Sequence, residues 1–143
     1  MGIYKFYNDY KFLDIEYPID IEIDGIVYPN AKRAFAGIRF KDKNLSKTCI
    51  TMDNKTLNHI IRFIHSGPLV RSEFACNPEV QLLKVLRLKF QNEELKQKLL
   101  ATGDEEIKYI DKHDFYLGQY KKQGYNRLGR ALMTIRWELQ NEM

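Results

Sequence analysis

Asp20-Ile21-Glu22-Ile23-Asp24-Gly25-Ile26-Val27-Tyr28-Pro29-Asn30-Ala31-Lys32-Arg33-Ala34-Phe35-Ala36-Gly37-Ile38-Arg39 is the stretch that decides the fold. Ile21 and Ile23 alternate with Glu22 and Asp24, the period of a half-buried strand, and Asp24-Gly25 supplies the left-handed dihedrals of a two-residue turn. Ile26 to Tyr28 return as the second strand, and Pro29, which cannot donate to a ladder, ends it. Asn30 is placed to cap the helix that follows, so the hairpin aims that helix's first turn and its free amides. Along the helix Ala31, Ala34, Phe35 and Ile38 form one apolar stripe, while Lys32, Arg33 and Arg39 point in other directions.

The chain has 143 residues, a length that suits one domain able to bury roughly two-thirds of the surface its unfolded form exposes. Its formal net charge of +4 is spread through every segment. That balance fits an anionic small molecule better than the concentrated basic stripe of a DNA-binding domain. Cys49 and Cys76 lack metal-type spacing and accompany no secretory segment, which predicts two reduced thiols in a cytoplasmic protein. No apolar run approaches membrane length. His59, His65 and His113 fall into no ligand pattern, so no metal and no cofactor is expected.

Outward from the hairpin, Ile3 to Tyr7 reads as a first strand and Phe12 to Ile15 as a second. Lys41 to Thr51 reads as a loop, Asp53 or Asn54 as the cap of a helix carrying Leu57, Ile60, Ile61 and Ile64, and Leu69 to Ala75 as a connection. Asn77-Pro78-Glu79 opens a helix with Val80, Leu83, Leu86, Leu88 and Phe90 inside, and Leu95, Leu99 and Leu100 line another ending near Gly103. Ile107 to Ile110 alternates like a strand, and Asp111 to Gln123 is a charged, aromatic loop. The last helix begins around Tyr125 or Asn126, with Leu128, Leu132, Ile135, Leu139 and Trp137 on its apolar side. This is a mainly α chain with a small amino-terminal sheet, an α+β fold.

Several segments in order carry a resemblance. They are Phe12-Leu13-Asp14-Ile15-Glu16-Tyr17-Pro18, Ile23 to Pro29, Lys32-Arg33 to Arg39-Phe40, and Leu86-Arg87-Leu88-Lys89-Phe90. Leu99 to Asp104, Asp114-Phe115-Tyr116-Leu117-Gly118, and Gly124-Tyr125-Asn126-Arg127-Leu128-Gly129 through Arg136 follow. Together they resemble the NADAR domain, also called the YbiA-like family, across nearly the whole of a single domain over 1–143. The resemblance implies a mainly helical fold around a pocket for ADP-ribose-like nucleotides, and in active members cleavage of N-glycosidic bonds.

Four positions depart from the family pattern in the helix after the hairpin: Lys32 replaces a glutamate, Arg33 a histidine, Ala36 a glutamine and Arg39 a lysine. Asp14, Ile15 and Glu16 stand where the family has Ser-Asn-Phe, and Leu117 replaces a tryptophan. A carboxylate stabilises an oxocarbenium-like sugar and orients water, which an ammonium cannot do. The resemblance therefore implies a divergent nucleotide-binding member with weakened or lost N-glycosidase activity. Capture of a nucleotide signal, for instance on behalf of a phage, would suit such a pocket.

The ligand set implied is Lys32, Arg33, Arg39, Tyr116, Gly118, Gly124, Asn126 and Arg127, with the Arg39 fork on a phosphate. Five of these have a plainer alternative. Lys32 and Arg33 would be the wet face of a helix, Tyr116 an edge seal of the core, Asn126 a helix cap, and Arg127 surface cover. An active enzyme would instead draw its carboxylate from Asp114, Asp14 or Glu16, acting on ADP-ribosyl or ribosylamino compounds. Against this, Asp14 and Glu16 read as solvated strand-end charges and Asp114 as a loop bond. A structural or protein-interaction domain is the third reading. The expected partner is a phosphorylated, ADP-ribose-like small molecule. No membrane is expected, and nucleic acid enters only as a modified-base substrate.

Overall fold

Asp24 and Gly25 both take positive φ, 55° and 80°, in the computed structural model, which describes residues 2–142. The turn closes an antiparallel hairpin of β2 (Ile21–Ile23) and β3 (Ile26–Tyr28), registering Ile21 with Tyr28 and Ile23 with Ile26. The chain divides into two compact units. One is Pro18–Val85, and the other joins the described residues up to Tyr17 with those from Leu86 onward.

In the first unit the Asn30 side chain accepts from Arg33 N at 2.9 Å and starts α1 (Ala31–Gly37). The expectation of one buried stripe is too narrow, because Lys32 and Arg39 are buried together with Ala31, Ala34, Phe35 and Ala36. Lys41 to Thr51 is not a plain loop. Asp42 caps a short α2 (Lys43–Thr48), and buried Ser46 Oγ donates to Gly37 O at 2.8 Å, tying α2 to α1. Asp53 caps α3 (Asn54–Phe63) through Thr56 N and Thr56 Oγ1. The connection expected over Leu69 to Ala75 gives way from Ser72 to α4 (Ser72–Cys76), whose Phe74 packs 5.6 Å from Phe35. Both thiols are free, Cys49 buried and Cys76 exposed.

Pro78 stands at the first position of α5 (Pro78–Lys89), with Val80 N donating to Asn77 Oδ1 at 3.3 Å. Its buried face runs through Leu82, Val85, Leu86 and Lys89, which leaves Val80 exposed rather than inside.

The second unit opens with β1 (Gly2–Ile3), shorter than the strand expected to Tyr7, paired in parallel with β4 (Glu106–Ile107). Asn8–Leu13 is a 3-10 helix rather than a strand, and adjacent Phe12 and Leu13 are both buried, which a two-residue period forbids. Asn92 caps α6 (Glu93–Ala101), which Gly103 follows at φ +64°. A hairpin of β5 (Gln119–Tyr120) and β6 (Gln123–Gly124) leads into α7 (Arg127–Asn141). Leu128, Leu132, Ile135 and Leu139 of α7 are buried as expected, but Trp137 is 63 % exposed. Among the described residues, then, seven α-helices stand against three two-stranded ladders, an α+β fold dominated by helix. No described helix is long and apolar enough to cross a membrane.

Candidate functional site

The Pro18–Val85 unit holds three of the sequence-predicted ligand residues on or just after α1. Lys32 is 9 % exposed, so a cation occupies a buried position. Arg33 donates through Nη1 to Cys49 O at 3.1 Å and to Met52 O at 2.7 Å, holding the end of α2. Arg39 is fully buried. Its Nε donates to Ala36 O, its Nη2 to Phe35 O, and its Nη1 to Ile60 O and Ile64 O, between 2.7 and 3.1 Å. The rings of Phe35 and Phe74 flank the guanidinium at 5.0 and 4.4 Å. The fork expected on phosphate is thus engaged by main-chain carbonyls.

The carboxylates lie in the other unit. Asp14 is half-buried and its Oδ1 accepts from Glu16 N at 2.8 Å, while Glu16 is exposed. Asp114 is buried, and its Oδ1 accepts from Tyr116 N at 3.1 Å and Leu117 N at 3.0 Å, the loop-bracing role. Asp14, Asp111 and Asp114 all bear electrostatically on the Tyr109 hydroxyl. That hydroxyl donates to Asp111 Oδ2 at 2.9 Å, and burial first, then these acids, push its pKa up. Two of the three candidate acids, Asp14 and Asp114, thus act electrostatically on one half-buried phenol, whose direct partner is Asp111.

Lys89 joins the same group. Its ammonium is fully buried, donates to Asp14 O at 2.9 Å, and lies 5.6 Å from the Tyr17 ring and 5.3 Å from that of Phe90. Burial lowers its pKa to about 7 against the opposing pull of Asp14.

The 114–127 segment is locked by its glycines and by Asn126. Gly118 O accepts from Tyr125 N and Asn126 N at 3.1 and 3.0 Å, and Gly124, at φ +99°, would set a side chain against Gly118 O. Asn126 is left-handed, at φ 47° and ψ 42°, and its side chain does not cap α7. It bridges to the strand region instead, accepting from Tyr109 N at 2.9 Å and donating to Ile107 O at 3.1 Å. Arg127 lies against the rings of Tyr116 and Tyr125.

A cleft of about 670 Å³ opens elsewhere in this unit, between Asn8–Phe12 and Lys98, Ala101 and Thr102, and none of the sequence-predicted residues lines it. Among the described residues no group of three or more His, Cys, Asp or Glu is arranged to hold a metal ion.

The chain matches the NADAR domain over residues 3–140. It belongs to the NADAR family. The structure is similar to the NMR structure of the E. coli protein YbiA, with a TM-score of 0.78 and 28 % identity over 99 % of this chain and 85 % of that one. It is also 29 % identical over 136 residues to a riboflavin biosynthesis protein of Vibrio vulnificus (strain YJ016), covering 93 % of this chain. The chain spans 36 % of that relative's length. In this NADAR chain the residues that sequence reasoning passed over are Lys89 and Tyr109. Lys89 lies inside Leu86-Arg87-Leu88-Lys89-Phe90, where a lone cation between leucines on an otherwise apolar helix face was the available signal.

Proposed function

We propose that this NADAR chain is a single domain over residues 1–143 that binds an ADP-ribose-like nucleotide and has weakened or lost N-glycosidase activity. The observation that carries the reading is the burial of Lys32. A cation on the wet face of a helix would leave a pocket's chemistry untouched, whereas a buried one in the place of the family's glutamate reverses the charge available there. Capture of a nucleotide signal, in a cell or for a phage, follows as the role of such a pocket.

Hydrolysis is the second reading, favoured by the burial of Asp114 and by the electrostatic influence of Asp14 and Asp114 on the Tyr109 hydroxyl. A carboxylate in this group would replace the missing glutamate in stabilising the sugar cation. The name of the Vibrio vulnificus relative adds riboflavin-pathway compounds to the substrates worth trying.

Melting the protein with ADP-ribose, NAD, cyclic ADP-ribose isomers and ADP-ribosylated guanosine, while following products, separates the readings. A raised melting temperature with intact ligand supports capture. Release of free base supports the hydrolase. Neither effect with any compound overturns both and leaves a structural or protein-interaction domain.

A further inference from the structure

Arg127 and Tyr125 form a half-open stack. The Arg127 guanidinium carbon lies 4.2 Å from the Tyr116 ring centroid and 4.2 Å from that of Tyr125, and Nη1 donates to Tyr116 O at 3.0 Å. Tyr125 remains 62 % exposed although the guanidinium covers one face of its ring, so the other face is open to solvent. The ring is not on a loose loop. Tyr125 N donates to Phe115 O and Gly118 O at 3.2 and 3.1 Å, and Tyr125 O accepts from Arg130 Nε at 3.0 Å.

A tyrosine fixed by its backbone loses little freedom when a flat ring settles on it. The β5–β6 hairpin that leads into Tyr125 turns through Lys121 and Lys122, both exposed, with the Lys121 ammonium 5.4 Å from the Tyr120 ring, so the same hairpin carries positive charge on its surface. An exposed aromatic face following a basic hairpin turn suits a base carrying phosphates. Leu117, at the position of the family's tryptophan, is buried at 2 % and offers no such face.

We propose that the open face of Tyr125 is the base-stacking surface for the nucleobase of an anionic nucleotide, with Lys121 and Lys122 facing its phosphates. This rests on the nucleotide-binding reading and adds the part of the ligand that is recognised.

Calorimetric titration with ADP-ribose, AMP and ribose 5-phosphate tests it, using the wild type, Tyr125→Ala, Tyr125→Leu and Tyr125→Phe. The expected result is a roughly tenfold weaker Kd for ADP-ribose and AMP in the Ala and Leu variants, little change in the Phe variant, and ribose 5-phosphate binding unaltered in all. Wild-type affinity for ADP-ribose in both Ala and Leu variants overturns the stacking surface and leaves nucleotide binding standing. Equal weakening toward ribose 5-phosphate also overturns it. A wild type that binds none of the three probes overturns the nucleotide reading and this inference with it.

Discussion

The buried ammonium of Lys89 donates to the main-chain carbonyl of Asp14 at 2.9 Å, across 75 positions of sequence. A cation in that setting is held at the expense of its hydration, and its pKa falls to about 7 because burial outweighs the attraction of Asp14. The folded chain therefore binds fewer protons than the unfolded chain between about pH 7 and the ordinary lysine range near 10.4.

Stability contributed at this site should rise with pH across that window and be least below pH 7. Urea denaturation of wild type and Lys89→Met at pH 7, 8 and 9 checks the sign. The wild type should gain on the order of a few kcal/mol relative to the variant as pH rises. A constant difference between the two proteins would mean that Lys89 titrates normally.

Arg39 satisfies four main-chain carbonyls while packed against Phe35 and Phe74. Arg39→Ala would remove four buried hydrogen bonds and the packed guanidinium from the interior and is expected to cost at least about 3 kcal/mol in chemical denaturation. Arg39→Lys, which restores the family's residue, supplies an ammonium without the planar fork and should cost about 1–3 kcal/mol. Wild-type stability in Arg39→Ala would show that the carbonyls find other partners.

Lys32→Glu is the reciprocal test of the proposed function. If the buried cation replaces a catalytic acid, the variant should hydrolyse N-glycosidic substrates faster than wild type, by about tenfold or more, and bind ADP-ribose more weakly. Product analysis and calorimetry on the same preparation read both effects. No change in either would remove Lys32 from the site.

What the sequence made legible was local chemistry. Asp24-Gly25, Asn30, Asp53 and Asn77-Pro78 each act on backbone within three residues, and each turn or cap forms as read. The misreadings need distant partners or a full helical phase. Helix α2 has six residues and leans on the Ser46 bond to Gly37 nine positions away. Trp137 follows Leu128 by nine positions, half a turn out of phase at 100° per residue, so it faces water while Leu128 is buried. The candidate-site residues follow the same rule. The Asp114 loop bond was foreseeable from its neighbours, but the bridge of Asn126 to Tyr109 and Ile107 and the burial of Lys89 depend on segments 17 to 75 positions away.

The two thiols should behave as opposites. Cys76 is exposed, whereas Cys49 is fully buried and burial raises its pKa, so little thiolate forms. Labelling with a disulfide reagent at pH 8 should modify one thiol quickly and the second only as urea unfolds the chain. Mass mapping of the fast product to Cys49 would contradict the packing around α2.

Asn126 offers a way to separate backbone from side chain at the entrance to α7. Its left-handed dihedrals suit glycine, while its amide holds Tyr109 N and Ile107 O. Gly129 stands so close to Ile107 O and the Asn126 side chain that an added Cβ would collide with both. Asn126→Gly keeps the backbone comfortable but leaves two buried groups unpaired, a loss of about 2–3 kcal/mol. Asn126→Ala adds roughly 1 kcal/mol for an alanine in the left-handed region. Glycine should therefore sit between wild type and alanine in denaturation midpoint, and a glycine variant as stable as wild type would mean that the amide contributes nothing and only the turn matters.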